Sequence, residues 1–255
     1  MNELDIPINR RELLQLATVA GTASLLSPSS VRTEETNSAV FRIIDTNVSL
    51  FRWPFRRLPL DETATLVKKL RSLGIVQAWA GSFEGVFHRD VAGVNRRLVA
   101  ECQKYEDFLP IGTVNPNLPG WEHDLKNCIE KHKMPGIRLH PNYHGYTLDD
   151  PRLVRLLKVA ASAGLLVQIA VALEDIRTQP SNLVVPDVDP APLPEVISPI
   201  PKAKVQILNY RPRPSALGSL AKTEGIYFDV ARVEGTDGVP QLVEALPTGR
   251  VLFGT

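Results

Sequence analysis

Soft metal ligands are scarce in this chain: its 255 residues hold five histidines and two cysteines. Cys102 and Cys128 are too far apart for a Cys-x-x-Cys zinc or redox motif, and nothing in their spacing supports a disulfide. An excess of either charge is also missing. With 29 basic and 28 acidic side chains and a formal net charge of +1, the chain has no global field to attract nucleic acid, so none is expected as a partner. There is no Gly-x-Ser-x-Gly elbow, phosphate loop or Gly-x-Gly-x-x-Gly turn, which leaves serine hydrolysis and nucleotide chemistry without support. No apolar run is long enough to make a stable membrane span.

What is present suits one globular domain. Hydrophobic residues make up 44% and charged residues 22% of the chain, enough to bury a substantial core. Residues 1–40 stand apart in composition. There "NRRELLQLATVAGTASLL" sets Arg10 and Arg11 before a modest apolar run, and the polar linker "SPSSVRTEETNSAV" follows. This pattern resembles a twin-arginine export signal, which implies a periplasmic location and leaves 41–255 as the folded domain.

In the domain, short β-branched runs recur: "RIIDTNV", "IVQAWAG", "LPIGTVN", "GIRLH", "LLVQIAV", "KVQILNY", "IYFDVAR" and "RVLFG". Stretches of helical periodicity separate them, among them "ETATLVKKLRSL", "VNRRLVAECQKY", "WEHDLKNCIEKH", "DPRLVRLLKVAASA" and "VPQLVEALP". Strands that are continuously apolar and alternate with helices predict a closed parallel (β/α)8 barrel of the TIM type. The fifth connection is too rich in proline for more than a short helical turn near Leu193 to Ile197. No final helix follows "RVLFG". Cover for that flank is expected from the N-terminal segment, from a partner copy in a homo-oligomer, or from residues lost in a truncated gene product.

In such a barrel the chemistry sits at the carboxyl ends of the strands. That rule selects Asn47, Ser49, Ser82, Glu84, Asn115, Arg138, His140, Glu174, Asp175, Asn209, Arg211, Asp229 and Arg232. Period-two alternation puts Arg138 and His140 on one side of the fourth strand, and two basic groups in a dry interior call for a carboxylate companion, for which Asp229 is the candidate. "RWPFRR" reads as a solvated loop anchored by Trp53 and Phe55.

The ordered set "IIDTNVSLFRWP", "GSFEGVF", "IGTVNPNLPGWEHDL", "GIRLHPNYHGY" and "VLFGT" resembles the amidohydrolase-related family of the amidohydrolase superfamily. The resemblance implies a barrel that uses zinc or another divalent metal, with Asp-x-His-x-His ending the first strand. Asp45 matches that motif, but Asn47 and Ser49 replace its histidines, and Ala170 and Asn209 stand where the fifth and sixth strands would supply two more. No tightly held metal, and so no cofactor, is expected from such a set. The resemblance further implies attack of water on a small organic acid, lactone or amide. His140 would then serve as general base or acid, Asp229 as its partner and Arg138 as oxyanion stabiliser, with Asn47, Ser49, Asn209 and Glu174 binding substrate. The competing expectation is a pseudoenzyme that binds a small-molecule ligand without turnover.

Overall fold

The computed structural model describes residues 42–211 and 217–255; the export signal expected in residues 1–40 lies outside them. Eight strands pair in parallel in sequence order. They are β1 (Ile43–Leu50), β2 (Ile75–Ser82), β3 (Phe108–Thr113), β4 (Gly136–Leu139), β5 (Leu166–Ala170), β6 (Lys204–Leu208), β7 (Ile226–Asp229) and β8 (Val251–Leu252). Between them run α1 (Thr63–Ser72), α2 (Val91–Cys102), α3 (Trp121–Lys126), α4 (Pro141–His144), α5 (Pro151–Ser162), α6 (Leu193–Ile197), α7 (Gly218–Lys222) and α8 (Gly238–Ala245). Thr46 draws the ring together. Its backbone N–H donates to the Phe253 carbonyl at 2.9 Å and its hydroxyl to the same oxygen at 2.8 Å. The result is a nearly closed (β/α)8 barrel of the expected TIM type.

Alternation along the strands explains which side chains leave the barrel and which enter it. Ile137, Leu139, Val167, Ile169, Val205, Ile207, Ile226 and Phe228 join the buried apolar layer shared with the helices. The residues between them, Arg138, Gln168 and Gln206, are neighbours in register and face inward. Helix α5 shows how the outer layer forms. The Asp150 carboxylate caps it by accepting from the Arg152 N–H at 2.8 Å, and Pro151 opens the first turn. Leu153, Leu156, Leu157, Ala160 and Ala161 then bury one face. Gly164, at a φ of 72°, turns the chain back to β5 in a conformation that only glycine adopts at no steric cost.

Two local features differ from the sequence expectation. The helix expected over "WEHDLKNCIEKH" ends at Lys126 and widens into a π turn over Asn127–Lys131. The turn sets Cys128 against Gly112 of β3, where an added Cβ would lie 2.7 Å from the Cys128 sulfur. In addition, β8 is only two residues long, and Phe253 beside it is exposed. Cys102 and Cys128 are both free thiols. Among the described residues no helix is long and apolar enough to cross a membrane.

Candidate functional site

The floor of the barrel is a continuous polar chain. Arg138 Nε donates to Gln168 Oε1 at 2.9 Å, and Gln168 Nε2 donates to Gln206 Oε1 at 2.9 Å and to the Thr46 carbonyl at 2.7 Å. Gln206 Nε2 completes the chain by donating to the Thr46 hydroxyl at 2.7 Å. Arg138 Nη1 also reaches the Val48 carbonyl at 3.1 Å and Ser49 Oγ at 3.0 Å. Arg138 is only 2% exposed. Burial brings its guanidinium down to about 10, against the opposing pull of the Asp229 and Asp45 carboxylates, so it stays charged at neutral pH. The companion expected from the sequence was a paired carboxylate, whereas the direct partners are neutral. Asp229 acts on Arg138 only through space, because neutral acceptors, among them the Trp79 carbonyl 3.4 Å from Nη2, already take four of the fork's five donors.

Above this floor lie Asn47 and Asn209, two of the positions at which the family resemblance implies imidazoles. The Asn47 side-chain amide donates to Asn209 Oδ1 at 2.8 Å and to Asp229 Oδ2 at 2.7 Å. Asn209, held at a φ of 58° just after β6, donates its backbone N–H to Asp229 Oδ1 at 3.0 Å and its side-chain amide to the Ala172 carbonyl at 2.7 Å. Asp45 accepts from the Asn47 N–H at 3.0 Å and from the Thr255 N–H at 3.2 Å, and its other oxygen takes the Thr255 hydroxyl at 2.6 Å. Gly254 closes the cluster from the β8 side: a Cβ there would lie 2.9 Å from Asn47 Cβ and 3.1 Å from Asp229 Cβ. Burial raises the Asp229 carboxyl to about 6, partly offset by the Asn209 N–H, the Asn47 amide and Arg138.

These donors do not fit a divalent metal. Asn47, Ser49, Ala170 and Asn209 contribute no imidazole, thiolate or carboxylate. The Asp45 and Asp229 oxygens are already engaged by hydrogen bonds. Among the described residues, no three His, Cys, Asp or Glu side chains gather as a metal ion would need.

A cavity of about 540 Å³ opens over this cluster, lined by Asn47, Ser49, Arg138, Asn209, Arg211 and Arg232, with Phe51, Leu58, Leu60 and Phe83 on its apolar wall. Arg211 bridges Asp175 at 3.3 Å and Glu234 at 3.2 Å. Arg232 is less engaged. Its nearest carboxylate, Asp187, is 3.9 Å away, and its buried Nη1 has no hydrogen-bond partner among the described residues. Sequence reasoning placed Arg232 at a strand end but gave it no role.

Of the remaining candidates, His140 and Glu174 lie elsewhere. His140 follows β4 and packs edge-on to His144 with ring centroids 5.7 Å apart, and its Nδ1 is buried without a partner. Burial, then His144 and Arg138, hold its imidazole well below the usual range, so it is neutral. No hydrogen bond joins it to Asp229, and neither residue lines the cavity. Glu174, expected to bind substrate, instead faces the segment after β1: it accepts from Trp53 Nε1 at 3.0 Å and from Arg56. Trp53 is buried among Phe55, Phe83, Phe87 and Tyr143. The "RWPFRR" loop is therefore anchored by its aromatics, as expected, but also latched to β5's loop through Glu174. Its continuation, Leu58 to Asp61, forms one wall of the mouth. The path of a loop between elements leaves no periodic signal, so the sequence could not reveal this wall.

The family model for amidohydrolases matches residues 53–255. Curated proteins gave no match. Solved structures share the barrel. An uncharacterized TIM-barrel protein from Bordetella bronchiseptica is 15% identical over 84% of this chain and 85% of that one, with a TM-score of 0.63. A 5-carboxyvanillate decarboxylase from Novosphingobium aromaticivorans, solved with bound manganese and 3-methoxy-4-hydroxy-5-nitrobenzoic acid, is 15% identical over 84% and 86% of the two chains, with a TM-score of 0.64. A 2,6-dihydroxybenzoate decarboxylase from Rhizobium is 9% identical over 84% and 87%, with a TM-score of 0.58. Likeness at these identities establishes the fold.

Proposed function

The chain belongs to the amidohydrolase family, and from that premise we propose that it binds a small organic acid at the barrel mouth without a tightly held metal. The observation that carries this reading is the Asn47 amide, which spends its donors on Asn209 and Asp229 and offers no imidazole to a metal. Arg232 supplies a cation with an open donor, Arg211 a second cation at the rim, and the phenylalanine and leucine wall suits an apolar or aromatic body. An aromatic acid is the ligand held by the manganese-containing decarboxylase relative, and the same class fits this mix of charge and apolar wall. Metal-independent hydrolysis has less support, because His140, Asp229 and Arg138 are not joined into one hydrogen-bonded set and two of them lie outside the cavity.

Titration with benzoate, and with benzamide as the uncharged counterpart, checks the reading. Benzoate is expected to bind and benzamide to bind at least about tenfold more weakly, the worth of one charge-assisted contact. Arg232→Met is expected to remove that preference. Equal binding of the two compounds, or a preference that survives Arg232→Met, contradicts the proposal.

A further inference from the structure

A second cavity, of about 670 Å³, opens at the amino ends of β6 and β7, on the barrel face away from the mouth. Three lysines line it: Lys202 in the turn before β6, Lys204 as the first residue of β6, and Lys222 as the last residue of α7. All three are exposed. Among the described residues none of the three forms an ion pair, a state they share with Lys68, Lys69, Lys131, Lys133 and Lys158, so what sets them apart is their convergence on one concavity. Arg52, Arg57, Arg71, Arg97 and Arg152 each have an acidic partner, and the ion-paired lysines among the described residues are Lys104 and Lys126. Glu224 is the one carboxylate that lines the second cavity. The Ser219 and Thr223 hydroxyls share its wall, and the Tyr227 ring, which has the Arg250 guanidinium 5.6 Å from its centroid, forms another part of it. Lys202 is held at a φ of 60°, a backbone conformation that glycine or asparagine adopts more easily than lysine.

We propose that this cavity is a second binding site, for a small phosphate-bearing anion that carries several charges. Three ammonium groups around one concavity raise its local potential although the chain as a whole is almost neutral. Lysine engages phosphoryl oxygens as a point charge on a flexible stem, and hydroxyls beside it add directional donors. A single carboxylate ligand, together with Glu224, would still leave one of the three cations without a counter-charge. The mouth lies at the other end of the strands, so this site stands or falls independently of the reading given to the mouth.

The experiment is calorimetric titration of inorganic triphosphate into the full chain. Binding of one triphosphate per chain is expected, weakening as salt approaches about 0.15 M because exposed charges are then screened. The double variant Lys204→Gln, Lys222→Gln is expected to weaken binding at least about tenfold while melting temperature and benzoate binding stay unchanged, since both side chains are exposed and distant from the mouth. Lys202→Asn is expected to weaken triphosphate binding while holding or raising the melting temperature, because it relieves the left-handed backbone. Absence of binding to the unaltered chain overturns the proposal. So does binding that survives the double replacement, or displacement of triphosphate by benzoate.

Discussion

Arg138→Met is expected to destabilise the protein by about 3 kcal/mol, the sum of the penalties for stranding the buried acceptors that the guanidinium now serves. Those acceptors are Gln168 Oε1, the Val48 carbonyl, Ser49 Oγ and, at 3.4 Å, the Trp79 carbonyl. Replacing a buried charge with an apolar side chain is often neutral, but only when the partners are replaced with it. Here the partners remain, and the loss passes along the floor to Gln206 and Thr46. For a domain of this size the melting temperature should fall by roughly 6–12 °C. Arg138→Lys should recover only part of this, because one ammonium cannot span the four acceptors that the planar fork reaches. Melting curves of the three proteins decide the matter. Unchanged melting of Arg138→Met would mean that the polar floor contributes nothing to the fold.

A second large effect is expected from pH. The Asp229 carboxyl sits at about 6 in the folded chain because of burial, well above the usual aspartate value in an unfolded one. The folded state therefore holds this proton more tightly than the unfolded state does. Its contribution to stability is fully present below about pH 4 and is lost as pH rises through about 6, a total of about 3 kcal/mol. Asp229→Asn removes the titrating group, and although it also disturbs the hydrogen bonds to Asn47 and Asn209, that disturbance does not vary with pH over this range. Denaturant unfolding from pH 4 to pH 7 should thus show the unaltered chain losing stability relative to the variant as pH rises. Parallel curves would show that the folded and unfolded chains hold the Asp229 proton equally.

The barrel was legible because each strand combines β-branched density with an abrupt polar end, and the helices between them keep their period. The mouth was legible only in part. Asn47, Ser49, Arg138, Asn209, Arg211 and Arg232, all at strand ends, line one cavity, a convergence that depends on topology alone. The partners of Arg138 were not foreseen. A buried cation calls for an opposite charge, whereas Arg138 meets Gln168, which is held in turn by Gln206, each a single polar residue inside an apolar strand and at the inward phase of the pleat. That signal was present in "LLVQIAV" and "KVQILNY". Glu174 was misplaced for another reason: it lies beyond the end of β5, where alternation no longer sets direction, and its partners Trp53 and Arg56 belong to a loop whose course depends on tertiary packing. His140 is similar, because the backbone leaves the strand at that residue and hands it to the turn that carries His144.

Whether amide and carboxylate hydrogen bonds organise the mouth in place of a metal is decided by titrating zinc and manganese into the full chain and measuring the metal retained after gel filtration. No stoichiometric retention of either ion is expected, because Asn47 and Asn209 are weak donors and the Asp45 and Asp229 oxygens are already committed; that is the organisation the hydrogen bonds describe. Retention of about one ion per chain, lost in Asn47→Ala or Asp229→Asn, would contradict it.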